Sequence, residues 1–288
     1  MRNFKTLSQE EKEKIKEEKR KNPFISISYL SKKYSLYEST LNTFFRKNHL
    51  TTRELTGLRY RRYEVNDNYF DKIDSHEKAY LLGVLYSNGY LVIEGDNTKR
   101  IGLDVKDTDW LEEIGKTLGS NAPLYKTAKE EIKRLKLTSP KMFEDLKKLG
   151  CVEHKTFLLK FPTKEQVPEE FLNSFILGVL DGDGSITLTH PKRMKTFSIQ
   201  ISFTGTKELL QGIQKFLKVE HLTLRQRFPE RNNNNYTLTI SGFQQCYQIL
   251  SSLYENAPKC ILKRKYDKFC QIKNDSRAAS KNCSVTSG

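Results

Sequence analysis

The sequence predicts an α+β protein: a small all-α N-terminal unit followed by two pseudo-symmetric αββαββα repeats whose strands form antiparallel sheets. Three observations predict it. The segment LGVLYSNGYL at 82–91 returns as LGVLDGDGSI at 177–186, each an apolar helix-like run ending in a glycine. After each copy the same succession of helical and alternating runs follows. From 196 to 203, Phe197, Ile199, Ile201 and Phe203 alternate with Thr196, Ser198, Gln200 and Ser202, the period of a strand with one apolar and one polar face.

Residues 1–58 read as the helical unit. SQEEKEKIKEEKRKN opens with Ser8 and has Glu11 three residues on, the capping-box spacing. Ile27, Leu30 and Tyr34 recur at helical spacing. After a turn at Ser35–Tyr37, a second helix carries Leu41, Phe44 and Phe45. Two short helices around a tight turn predict a helix-turn-helix whose outer face presents Ser39, Asn42, Thr43 and Arg46, types that can reach base edges or phosphates; an ordinary helical hairpin that touches no DNA fits the same pattern. Residues 59–72 form a basic, aromatic connector. Its Arg59, Arg61 and Arg62 suit either a phosphate track or a solvated linker.

The first repeat, 73–165, runs from the helix ending at Gly89 through YLVIEG and RIGLDVK, then a helix with Trp110, Leu111 and Ile114. Strands around APLYKT and IKRLKLT and the helix PKMFEDLKKLG complete it. The second, 166–272, has the helix ending at Gly184, then SITLTH, TFSIQISFTG, the helix KELLQGIQKFLKV, LTLRQRF, YTLTISG and FQQCYQILSSLY. The stretch 273–288 is small, polar and without periodicity, and predicts a disordered tail.

In 288 residues, 50 Lys and Arg stand against 35 Asp and Glu, a formal +15. That excess favours a polyanionic partner, nucleic acid or an acidic membrane surface, over a charge that merely keeps the chain soluble. No run approaches a membrane span and the N-terminus has no apolar signal core, so an intracellular, cytoplasmic protein is expected. Cys151, Cys246, Cys260, Cys270 and Cys283 have no paired spacing, which predicts reduced thiols and no zinc knuckle.

The repeated helix ending carries the chemistry. Gly83 and Ser87 in one copy, and Gly178 and Gly182 in the other, lie four apart and share a helix face. Such faces let two helices approach closely, which brings Asn88 and Asp183 side by side. A carboxylate at a helix C-terminus is disfavoured by roughly 0.3–1 kcal/mol. Asp183, beside Asp181 and before a glycine suited to a left-handed helix end, therefore fits a cation such as magnesium, or a solvated turn.

AYLLGVLYSNGYL and SFILGVLDGDGSI resemble the two signature helices of the LAGLIDADG homing endonucleases, over roughly residues 73–272. The resemblance implies two repeats packed through these helices, a DNA saddle formed by their sheets, a monomer, and a long specific double-stranded site. It implies metal-assisted phosphodiester hydrolysis with magnesium or another divalent cation, the final acid of each motif binding the metal. Ile176–Gly184 matches the motif with Asp183 in that place. Leu81–Gly89 matches with Asn88 there, so Asn88 is natural and tolerated, makes a strand-selective nickase, or replaces an aspartate. EHKTFLLKFP and CILKRKYDKF resemble the family's basic segments, which carries over Lys155 and Lys265 as supporting lysines, Lys263 being a rival to Lys265. A binding protein without cleavage and an RNA maturase remain alternatives.

On the implied saddle, the polar strand positions would read bases: Thr187, Thr189, Ser198, Gln200, Ser202, Arg225, Arg227, Thr237 and Thr239 in repeat 2. Lys192, Arg193, Lys195 and Arg231 would sit at hairpin tips and loops. The counterparts in repeat 1 are Lys99, Arg100, Asp104, Lys106, Lys126, Arg134, Lys136 and Thr138.

Overall fold

The computed structural model describes residues 7–23, 25–52, 55, 63–95, 98–129, 131–152, 158–189, 198–219, 222–229 and 234–284, the last nine by backbone alone. The chain divides into two compact units, Met1–Arg62 and Tyr63–Gly288.

In the first unit, α1 (Gln9–Lys21) opens on the expected capping box: Glu11 N donates to Ser8 Oγ at 3.1 Å and Ser8 N to Glu11 Oε2 at 2.9 Å. α2 (Ile27–Tyr34) and α3 (Glu38–Lys47) are separated by a turn in which Ser35 takes a left-handed φ of 53°. Ile15, Leu30, Leu36, Leu41 and Phe45 form a core of their own, and Ser39, Asn42, Thr43 and Arg46 are exposed on α3.

The second unit repeats one order of elements. The first pass is α4 (His76–Ser87), β1 (Gly89–Glu94), β2 (Thr98–Val105), α5 (Thr108–Thr117), β3 (Tyr125–Lys126), β4 (Lys133–Thr138) and α6 (Pro140–Lys148). A 3-10 turn at Glu169–Phe171 leads into the second: α7 (Leu172–Asp183), β5 (Ser185–Thr189), β6 (Ser198–Gly205), α8 (Lys207–Leu217), β7 (Leu222–Gln226), β8 (Tyr236–Ser241) and α9 (Phe243–Tyr254). The sheets have the equivalent antiparallel orders β1-β2-β4-β3 and β5-β6-β8-β7.

α4 and α7 hold the two repeats together, and the spacing of their small residues explains how. A Cβ on Gly83 would lie 2.0 Å from Phe175 O, one on Gly178 2.0 Å from Tyr80 O, and one on Gly182 1.7 Å from Ser87 Oγ. Backbone therefore meets backbone along the strip. Tyr80, Leu81, Leu82, Val84, Phe175, Ile176, Val179 and Leu180 flank it, all buried in the common core.

Three expectations change. Gly184 has φ −93° and ψ 177°, so it is extended rather than left-handed. Its need for glycine is steric, since a Cβ would stand 2.6 Å from Leu180 O and 2.8 Å from Ser202 O. The segment 63–72, read as a polar connector, gives Tyr69 and Phe70 to the core. The stretch from 273 continues a helix, α10 (Lys263–Ser284). Phe269 and Ile272 anchor the start of α10 in the core, and each further residue adds one backbone hydrogen bond to a formed nucleus. No described helix is long and apolar enough to cross a membrane.

Candidate metal centre and nucleic-acid interface

The paired helices bring their C-terminal ends together. Asn88 follows α4 in helical geometry, its N–H donating to Val84 O at 2.9 Å, and that nitrogen lies 3.6 Å from where a Gly182 Cβ would be. Asp183 is the last residue of α7 and is exposed; its carboxylate makes no hydrogen bond or ion pair with the described residues. No three His, Cys, Asp or Glu gather as a metal group among the described residues.

Behind Asp183 lies Lys265, 2% exposed. Its ammonium donates to the carbonyls of Leu180, Asp181 (2.9 Å) and Gly184 (2.7 Å), so all three hydrogens are taken. The resemblance implies a supporting lysine here; the geometry sets its ammonium at the end of α7, where a cation opposes the negative pole of the helix. Burial pulls its pKa down to about 8 against the attraction of Asp181. Lys263 is exposed and Lys155 lies outside the described residues.

Asp181 is fully buried, and burial pushes its carboxyl up to about 6. Asp181 Oδ2 accepts from Tyr80 Oη at 2.8 Å and from Leu262 N at 3.0 Å, while Oδ1 has no partner among the described residues. Trp110 Nε1 donates to Tyr80 Oη (3.1 Å) and Cys260 O (2.8 Å), tying α5, α4, α7 and the segment before α10 into one network. Asp181 is thus a strut between repeats. It adjoins a cavity of about 360 Å3 also lined by Asn88, Asp104, Lys106, Asp107 and Arg264.

Register decides which strand residues share the open sheet faces. In repeat 2, Thr187 pairs with Gln200 and Gln200 with Ser241; Ser185 pairs with Ser202 and Ser202 with Thr239; Thr189 pairs with Ser198; Arg225 pairs with Thr237. The intervening rows, such as Ile186, Ile201 and Ile240, are buried. This face is nearly all hydroxyl and amide, and Ser185, Thr204, Thr223 and Ser241 belong to it though the sequence reading passed over them. Alternation from their neighbours marks all four. Arg227, just past β7, is exposed.

Repeat 1 differs. Arg100, Asp104, Arg134, Lys136 and Thr138 share one face with Tyr90 and Glu94. Glu94 binds Arg100 (3.1 Å) and Lys136 (2.8 Å). Lys106 follows β2 and pairs with Glu131 at 2.9 Å. Two expectations fail on register. Lys99 pairs with Ile93 in the rows of Ile101 and Leu103, and its ammonium meets Glu144 on α6. Lys126 pairs with Lys133, which pairs with Val105, again on the helix-covered side. Arg59, Arg61, Arg62, Lys192, Arg193, Lys195 and Arg231 lie outside the described residues.

Residues 176–274 match the model of the LAGLIDADG endonuclease family. No curated protein sequence matches the chain at a significant level. The fold is similar to that of I-SmaMI bound to an uncleaved DNA target in the presence of calcium ions, with 13% identity and a TM-score of 0.50 over 71% of this chain and 92% of that one. A lysine-to-alanine mutant of I-SmaMI gives the same identity, coverage and TM-score. The second repeat thus matches the LAGLIDADG endonuclease family in sequence, and the two repeats together are similar in fold to I-SmaMI.

Proposed function

We propose that the chain is a site-specific double-stranded DNA endonuclease of the homing type, acting as a monomer on a long site, with one of its two metal positions weakened by Asn88. The observation that carries this reading is the meeting of two helix ends, one bearing an exposed carboxylate with no partner among the described residues and the other an amide, beside two sheets with open polar faces.

The donors fit a hard divalent cation. Asp183 and Asn88 offer oxygens, which magnesium and calcium take, and two protein ligands leave room for water and phosphate oxygens. Asp183 would hold the cation, with Asn88 the facing donor. A bound divalent cation stabilises the charge that builds on the phosphate and the leaving oxygen. The rest falls to the chain. Lys265 fixes the carbonyls at the end of α7 and so sets the direction in which Asp183 leaves the helix. The face of repeat 2 presents donors and acceptors to base edges, and the ion pairs of repeat 1 present fixed charges. Asn88 contributes an amide oxygen without charge, so one strand is cut slowly or not at all.

The same asparagine favours a second reading, a DNA-binding protein that nicks or no longer cuts. Incubating the chain with a randomised duplex library and magnesium, then sequencing the new ends, separates them. Endonuclease function predicts one enriched long site, lost with Asp183→Asn. Enrichment by bound but unbroken duplexes supports the second reading, and no enrichment in either fraction removes both.

A further inference from the structure

We propose that Arg134 reads a guanine in the inner part of the repeat 1 half-site, with Asp104 and Tyr90 as its positioning residues. The inference rests on the DNA reading above and adds the base that this half-site demands.

An acid on a face that meets a polyanion needs a reason. Asp104 stands opposite Arg134 across β2 and β4. Arg134 Nε donates to Asp104 Oδ1 at 2.8 Å and Nη2 to Oδ2 at 2.6 Å, a bidentate pair along one edge of the guanidinium. The Tyr90 ring lies under the group, 5.7 Å from centroid to carbon. The carboxylate and ring fix the plane. Nη1 and the second hydrogen of Nη2 have no partner among the described residues, and the side chain is 38% exposed. That terminal edge is a two-donor fork, and the major-groove edge of guanine offers the matching pair of acceptors, O6 and N7. Lysine has no such fork.

The other strand arginines of the open faces lack this arrangement among the described residues. Arg100 gives Nη1 to Glu94, which it shares with Lys136, and its Nε is buried without a partner among the described residues. Arg225 faces Thr237. The location follows from register. Gly89, next to Asn88, pairs with Leu103, so Asp104 and Arg134 sit at the end of the sheet beside the helix ends. Asp104 and Asn88 line the same cavity. Arg100 stands four residues up the strand, about 14 Å further out.

The test is selection of bound duplexes from a randomised library by the full chain without magnesium, for the wild type, Arg134→Gln, Arg134→Lys and Asp104→Asn. The wild type should show a guanine column in the inner part of one half-site. Both Arg134 variants should lose that preference by about 5- to 150-fold, the discrimination of one bidentate pair. Asp104→Asn should broaden it less, and the remaining columns should persist in every variant. A guanine column that survives Arg134→Gln, or the absence of one from the inner half-site of a clearly selected sequence, overturns the assignment while leaving the DNA reading intact. No enriched sequence for any chain overturns both.

Discussion

Asp183 and Asn88 hold equivalent places at the ends of α7 and α4, and Lys265 shows what it takes to present the first. A buried ammonium is costly unless its hydrogens are engaged, and Lys265 engages all of them on the carbonyls of Leu180, Asp181 and Gly184. Lys265→Met leaves those oxygens without their donor. It should lower stability by about 2–4 kcal/mol, the range for losing charged hydrogen bonds and stranding buried acceptors. Urea denaturation checks this, and an unchanged midpoint contradicts it. The sequence pointed to Lys265 through the resemblance of its segment, but not to its role. Its acceptors lie some eighty residues earlier in the chain, and only the packing of α10 against the end of α7 joins them. The role of Asp181 was hidden for the same reason. In sequence it is only the second acid beside Asp183, whereas Tyr80 and Leu262 hold it inside the core.

At the scale of elements, glycines four apart were a legible instruction, because close helix contact has few other solutions. Gly178→Ala should cost several kcal/mol and weaken the pairing of α4 and α7, since its Cβ would meet Tyr80 O at 2.0 Å. Gly115→Ala is the control: on α5 its Cβ meets only Leu135 side-chain carbons at 3.8 Å, so helix propensity should leave stability unchanged or raise it by up to about 1 kcal/mol. Thermal unfolding of the two variants compares them, and equal midpoints would contradict the account. Strand faces were legible in repeat 2, where Ile199, Ile201 and Phe203 alternate with polar residues. In repeat 1, Lys99 shares the covered side with Ile101, Leu103 and Val105, so charge was a poor guide to facing. A shift of one residue exchanges the faces, and only the pairing with β1 and β4 fixes it.

At the scale of the molecule, the units at Met1–Arg62 and Tyr63–Gly288 have separate hydrophobic cores. A chain beginning at Tyr63 should therefore unfold cooperatively and still select the central sequence, with a footprint shortened at one end. An unchanged footprint would contradict a DNA-contacting role for Ser39, Asn42, Thr43 and Arg46. The central claim is that each strand is served by one helix end and that Asn88 impairs one of them. Its most direct test is strand-resolved cleavage of the selected site in a supercoiled plasmid with magnesium, comparing the wild type, Asn88→Asp, and Asp183→Asn with Asn88 in place. The account predicts slow cutting or a nick by the wild type, efficient cutting of both strands by Asn88→Asp at similar DNA affinity, and no cutting by Asp183→Asn. Cleavage of both strands at the full wild-type rate by Asp183→Asn would contradict it.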